Sequence, residues 1–386
     1  MNGFDFFLNT RIDFGIGKLK NLVNHIKNLN SKNVFIVTDS NLVKVGLLDS
    51  IFKELEENSI HYMVYDKVKP NPDIENVDNG AKLCIENESD LIIAIGGGSC
   101  MDVSKGISVI TKNLESSYDY LDGRGKSKAS IKDTLPIIAI PTTSGTGSEV
   151  SIYSVITDYD RIKDSITSEK IYPKIALIDP NLMKNLPPYI TACTGLDVLG
   201  HALEAYTSNI KNNLTDMFSL EAIKIVFDYL PEAVNKGTIE SREKLAFASL
   251  IAGIAMSCCG STIPHALGCP LSGHLDLPHG LTVGVLQIPM IEFNKIELNE
   301  EFERVVKYVN PKLTYKKNEV YKVLINMIEE IFNKINIELF LNNEIDDSTK
   351  ELLLKDASIH GCLGLNKRKV EKKDIENIYK SIILKW

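Results

Sequence analysis

Four of the seven histidines of this 386-residue chain fall between positions 201 and 279. Asp197 and His201 sit in GLDVLGHALEAY, a run with helical periodicity. An i, i+4 pair projects from one helical face, so the carboxylate and the imidazole can share one metal ion. Downstream, HALGCPLSGHLDLPHG supplies His265, His274 and His279. Neutral imidazoles with one carboxylate form a borderline donor set suited to a divalent transition metal. Any one of these histidines alone reads as a hydrogen-bonded core or surface residue; together with Asp197 they read as a metal site. Cys258 and Cys259 are adjacent in a small-residue helical run and read as packing.

A second chemistry lies in the first half. Gly96, Gly97, Gly98 and Ser99 directly follow the apolar run LIIAI and open a helical segment. Glycines there let the backbone approach a pyrophosphate, and the helix start offers N–H groups and a positive dipole end. The spacing differs from G-x-G-x-x-G, and a plain strand-to-helix turn is the alternative. PTTSGTGSE at 141–149 repeats the arrangement after the next apolar run. Two such loops in one parallel sheet converge on one edge, where ligands bind in open α/β folds. VFIVTD ends in Asp39, a carboxylate that can hold a ribose diol or serve as an ordinary helix cap.

These residues need elements to position them. Short apolar runs at 34–39, 61–66, 91–95, 136–140 and 174–179 read as strands, several covered on both faces. Helical patterns at 74–86 and 102–111 lie between them, and the alternation implies a parallel α/β sheet. FFLNTRIDFG looks like an edge strand or a hairpin. After Pro180 the pattern turns helical, which places a boundary near residue 182: an α/β dinucleotide-binding domain over 1–182 and a helical metal-binding and substrate domain over 183–386. SGHLDLPHG reads as a loop. The formal charge of −8 disfavours nucleic acid. No stretch approaches the ~20 apolar residues that span a bilayer. Seven cysteines without C-x-x-C spacing read as reduced thiols, and a cytoplasmic location is expected.

The strings GGGSCMDVSKG, PTTSGTGSEV, TGLDVLGHALEAY and HALGCPLSGHLDLPHG resemble, in order, the signatures of the iron-containing (group III) alcohol dehydrogenases. The resemblance runs from VFIVTDSNLVKVGLLD to the terminal tryptophan. It implies a Rossmann-like parallel-sheet domain followed by an all-α domain, a dehydroquinate synthase-like architecture with a site in the cleft between them. Carried over residue by residue, it places the metal ligands at Asp197, His201, His265 and His279. It places cofactor contacts at Asp39, Asn71, Gly97, Gly98, Ser99, Thr142, Thr143, Thr146 and, after a one-residue gap, Lys163. Asp102 matches the aspartate of the family's GGGSxxD motif and is expected to fix the loop beside the nicotinamide. Many members carry a further histidine where this chain has Cys269, which makes His274 the candidate proton relay here.

The expected reaction is reversible hydride transfer between NAD(H) and a small alcohol or aldehyde. The implied metal is Fe(II), with Zn possible, and the implied assembly a homodimer. Three alternatives share the features: a dehydroquinate synthase-like lyase, a hydroxyacid–oxoacid transhydrogenase, and a metal- and nucleotide-binding regulator without turnover. The lyase would call for a phosphate-gripping basic pocket, and no clear Arg/Lys cluster stands beside the ligand histidines.

Overall fold

The computed structural model describes residues 3–123 and 130–386. Two compact units emerge, one over Phe7–Thr143 and Gly147–Asn185, the other over the residues up to Phe6, Ser144–Thr146 and Leu186–Trp386.

The first unit is a six-stranded sheet. Its strands are β1 (Arg11–Phe14), β2 (Asn33–Val37), β3 (His61–Tyr65), β4 (Leu91–Gly96), β5 (Ile137–Pro141) and, beyond a hairpin of β6 (Tyr153–Thr157) and β7 (Lys163–Thr167), β8 (Ile175–Ile178). The order is β1-β8-β5-β4-β2-β3, with every pair parallel. β4, β5 and β8 are buried along their whole length, as continuous runs of Ile, Leu and Ala require when both faces are covered. The apolar side chains divide between two clusters, one containing Phe35, Ile92 and Ile107, the other Ile36, Ile93 and Ile138.

Helices α1 (Leu22–Asn28), α2 (Ser40–Lys44), α3 (Asp49–Glu57), α4 (Ile74–Glu86) and α5 (Gly98–Asn113) connect the strands. Asp73 caps α4 through Asn76 N, which fixes its start where the periodicity puts it. From β3 to β8 the parallel strands run in a doubly wound order, and the direction of winding reverses between β2 and β4. Ligands in such folds bind beyond the strand C-termini at that reversal. FFLNTRIDFG yields an edge strand, β1, whose partner β8 is far along the chain.

The second unit is helical except for a short parallel pair, β9 (Leu341–Glu344) with β10 (Ile383–Lys385). Its helices are α6 (Pro188–Thr207), α7 (Asn213–Asn235), α8 (Ile239–Cys259), α9 (Ile263–Leu275), α10 (His279–Val285), α11 (Gln287–Asn294), α12 (Asn299–Val309), α13 (Val320–Ile335), α14 (Asp347–Ile359) and α15 (Lys372–Ile382). α6 is buried on nearly every face from Thr191 onward and packs against α7, α8 and α10. A helix apolar all round belongs at a centre. Polar side chains on α6 therefore stand out. Among the described residues no single helix is long and apolar enough to cross a membrane.

Candidate active site

The loops at the sheet's winding reversal hold several of the residues expected from the sequence to contact a dinucleotide. Gly96 ends β4 with φ +149°, a conformation that favours glycine, and a Cβ there would lie 2.4 Å from Cys100 Sγ. The chain thus turns sharply into α5, whose N-cap is Gly97. Thr142 N donates to Gly96 O at 2.9 Å, and Thr143 lies against Gly97. Thr142, Thr143, Gly97 and Gly98 therefore come together after neighbouring strands, and Ser99 sits in the first turn of α5.

Asp39 follows β2. Its Oδ1 accepts from Asn41 N at 2.9 Å and Leu42 N at 3.2 Å, so it caps α2, and its other oxygen takes no part in that cap. The ribose and cap readings are thus compatible on one side chain. Lys163 Nζ donates to Asn71 Oδ1 at 2.7 Å, which unites two expected cofactor contacts ninety-two positions apart. Thr146 falls in the segment Ser144–Thr146, grouped with the helical unit. Asp102, partly exposed, accepts from Ser148 Oγ at 2.8 Å; burial pushes its carboxyl up to about 6 against the pull of Lys105 and Ser148.

In the helical unit, α6 carries Asp197 and His201, α9 carries His265, and α10 opens with His279. Asp197, His201 and His265 are each less than a tenth exposed. His265 Nε2 lies 3.0 Å from His201 Nε2 and 3.9 Å from Asp197 Oδ1, and His279 Nε2 also lies 3.9 Å from Asp197 Oδ1. The outer ring nitrogens face acceptors: His201 Nδ1 is 3.3 Å from Gly145 O and His265 Nδ1 is 2.7 Å from Glu204 Oε1. Those partners assign the proton to Nδ1 on both rings and leave the Nε2 lone pairs facing each other. Burial pushes the His201 imidazole down, toward its neutral form. Asp197 Oδ1 is buried with no hydrogen-bond donor. Opposed lone pairs beside an unsatisfied carboxylate oxygen are costly unless a cation lies among them. The residues present fit a divalent metal.

Glu204, which the sequence reading passed over, lies on the same face of α6 as Asp197 and His201, at the i, i+4, i+7 positions. It is fully buried. Oε1 accepts from His265 Nδ1, while Oε2 accepts from Thr262 N at 2.7 Å and His265 N at 3.3 Å. Thr262 is the N-cap of α9 and its own side chain makes no cap. One carboxylate from α6 thus caps α9 and orients the ring that α9 presents. Burial pushes Glu204 up, but His265 and the backbone donors outweigh it and hold the carboxyl below its ordinary range.

The seat of His279 depends on its neighbour. A Cβ at Gly280 would lie 2.0 Å from Cys193 O and 3.0 Å from Asp197 Cβ, so only glycine lets α10 start so close to α6.

His274 is elsewhere. α9 continues through it to Leu275, so the first residues of SGHLDLPHG are helical and not loop; Asp276, in the left-handed region, ends the helix. His274 Nε2 lies 2.7 Å from Asp356 Oδ2 on α14, with both side chains buried. The structure does not bring it into the group of Asp197, His265 and His279.

Comparison with known proteins bears on this geometry. Residues 9–180 match the family model described as iron-containing alcohol dehydrogenase, and residues 191–383 the one described as Fe-containing alcohol dehydrogenase family, C-terminal. Alcohol dehydrogenase 4 of Schizosaccharomyces pombe is 39% identical over 283 residues, 73% of this chain and 66% of that protein. The NAD-dependent methanol dehydrogenase of Bacillus methanolicus is 31% identical over 384 residues, 98% of this chain and 100% of that protein. Among solved structures, the alcohol dehydrogenase from Oenococcus oeni aligns with a TM-score of 0.92 at 29% identity, covering 98% of this chain and 100% of that one.

Proposed function

This chain belongs to the iron-containing alcohol dehydrogenase family, and from that premise we propose a metal-dependent enzyme that transfers a hydride reversibly between NAD(H) and a small alcohol or aldehyde. The observation that carries the reading is the group of buried Asp197, His201 and His265 with half-buried His279, in which the Nε2 lone pairs of His201 and His265 face each other beside a carboxylate oxygen that has no donor. These four residues would hold the metal, with Fe(II) as the proposed occupant and Zn(II) its competitor on the same nitrogen and oxygen donors. When bound, the ion supplies a Lewis acid for the substrate oxygen, lowering the hydroxyl pKa in one direction and polarising the carbonyl in the other.

The rest falls to the chain. Asp197 brings one negative charge and the imidazoles none, so a divalent ion keeps net positive charge. Glu204 fixes one of those rings by a charge-assisted hydrogen bond. The Gly97–Ser99 and Thr142–Thr143 turns are proposed to cradle the pyrophosphate, Asp39 to take the adenosine ribose, and Asn71, Thr146 and Lys163 to hold the remainder of NAD(H). Asp102 is proposed to fix the loop beside the nicotinamide. In the oxidative direction the carbinol C–H leaves as hydride to the nicotinamide, and the hydroxyl proton passes to solvent. The proton step needs no side chain from this chain as carrier, and the expected relay, His274, pairs through Nε2 with Asp356 Oδ2 at 2.7 Å. A homodimer in a reducing compartment completes the proposal, in keeping with seven cysteines that show no C-x-x-C spacing.

The test is anaerobic reconstitution with Fe(II), followed by NADH oxidation with a panel of short aldehydes and the reverse assay with their alcohols. Turnover that follows iron content is expected. Fully iron-loaded protein that leaves NADH untouched across the panel would overturn the reading.

A further inference from the structure

His274 and Asp356 have no part in the proposed chemistry, yet both side chains are buried, at 7% and 3% exposure. Asp356 Oδ2 accepts from His274 Nε2 at 2.7 Å, and Asp356 Oδ1 is sealed from solvent with no donor. A buried carboxylate with one unsatisfied oxygen is costly, and two well-packed apolar side chains in place of the pair would fold at least as well. What the pair adds is a fixed contact between the end of α9 and α14. α9 needs such a contact. Pro270 lies inside it and has no N–H for Ala266 O, so the half after Pro270 is held loosely by the half that carries His265. The C-terminal helices pin both halves: Tyr379 of α15 donates to Leu267 O at 2.9 Å before the proline, and Asp356 of α14 holds His274 after it. From His274 the way to α10 is short. Asp276, at φ +52°, ends the helix, Ser272 Oγ donates to Leu277 O at 2.9 Å, and Pro278 is the N-cap of α10, which opens with His279.

We propose that His274 is a positioning residue for the metal site: its hydrogen bond to Asp356 fixes the end of α9 and, through the three-residue connector Asp276–Pro278, the place of His279. The inference rests on the reading of Asp197, His201, His265 and His279 as metal ligands. His265 stands before Pro270 and His279 follows the half after it, so the spacing of two rings that share one ion is set across the break in the α9 ladder. Gly280 lets α10 start close to α6, and the His274–Asp356 pair sets the point from which the chain arrives there. This role is separate from proton transfer, because His274 Nε2 is occupied by Asp356.

The experiment loads the full chain with Co(II), whose visible absorption follows ligand geometry, and measures Co(II) affinity by competitive chelator titration, stability by urea unfolding and the NADH Kd by calorimetry. For His274→Phe the Co(II) affinity should fall about tenfold, the lower end of the range for groups that act through a ligand, and the visible bands should shift. The NADH Kd should stay within about twofold of the parent, because the pair lies outside the turns proposed to hold the nucleotide. Asp356→Leu should give the same loss of Co(II) affinity, and Asp356→Asn a smaller one, since its amide oxygen still accepts from Nε2. The double variant His274→Phe/Asp356→Leu places an apolar pair in the same volume. Its urea midpoint should return toward the parent, while its Co(II) affinity stays as low as in either single variant. A pair that served packing alone would regain both, and that recovery overturns the inference. So does a Co(II) affinity within about twofold of the parent in the folded variants; should the single variants not fold, the double variant is judged by the same values. Parent enzyme that takes up no Co(II) overturns the underlying reading of the four ligands, which separates the two failures.

Discussion

The strand-end turns of the α/β unit present backbone N–H groups and hydroxyls, whereas the helical unit presents ionisable side chains packed into its core. In the first region the glycines and threonines carry no charge, and in the proposed function the shape of the turn would carry the recognition. In the second, His201 and His265 have outer acceptors that fix their tautomers, and His279 has a glycine-dependent seat. A site of the first kind should degrade by degrees when altered; one of the second kind should fail at once.

The largest expected effect lies in the helical unit. His279→Ala should remove bound metal and cut turnover by well over the roughly 10–100-fold that loss of an outer ligand partner costs. Its NADH Kd should stay within about twofold of the parent, since His279 stands on α10, outside the turns proposed to hold the nucleotide. Metal analysis with calorimetry checks both, and parallel loss of nucleotide binding would erase the contrast.

Next comes Glu204→Ala, for which metal affinity should fall about 10–100-fold in a competitive chelator titration. Glu204→Gln should fall less, because an amide oxygen can still accept from His265 Nδ1 while its NH2 cannot accept from Thr262 N. Equal losses would show that the carboxylate acts through charge alone.

In the α/β unit a single half-buried carboxylate, Asp39, should matter by degrees. The parent should prefer NAD, and Asp39→Gly should shift the NAD-to-NADP ratio of kcat/KM by about tenfold, the effect of removing one like charge near a 2′-phosphate. The parent using both cofactors equally would place Asp39 away from the ribose.

The smallest effect belongs to a charge with no proposed role in binding. Asp13 accepts from Asn21 at 2.7 Å and contacts Lys18 at 2.9 Å and His25 at 2.8 Å. Burial raises its pKa, but those three partners outweigh burial and hold it at about 2, below the ordinary 3.8. A lowered folded pKa gives stability that is present above the unfolded value and lost as pH falls through the folded one. Asp13→Asn should therefore cost about 1 kcal/mol at pH 7, allowing for solvent screening. The gap between variant and parent in urea unfolding should shrink as pH falls from about 4 toward 2.

Much of this was legible from residue order. Strands such as LIIAI and PIIAI announce themselves because both faces are covered, and α4 begins where Asp73 can cap it. The hairpin of β6 and β7 escaped notice because YSVIT and KDSIT are polar and only partly buried. The candidate ligands were visible through the spacing of Asp197 and His201 and through the resemblance. Glu204 offered the same helical spacing, but a glutamate in a helix usually faces water, and only the fold shows that α6 has no such face. The loop reading of SGHLDLPHG fails for another reason: its glycine- and proline-flanked string resembles a loop, while α9 continues through His274 to Leu275.

The pairing of β1 with β8 has a consequence in time. Arg11 is made early, yet its partner Ile175 appears only after the rest of the sheet has been synthesised. Asp179, just past β8, then accepts from Gly17 N and Leu19 N at 3.0 Å each and fastens the same corner. Until then, one edge of the nascent sheet is open to pairing with another chain. The outermost strand is thus the first translated and the last able to dock. Contacts of such long sequence separation slow closure, so the time spent with that edge unpaired should govern the yield of soluble protein during expression or refolding.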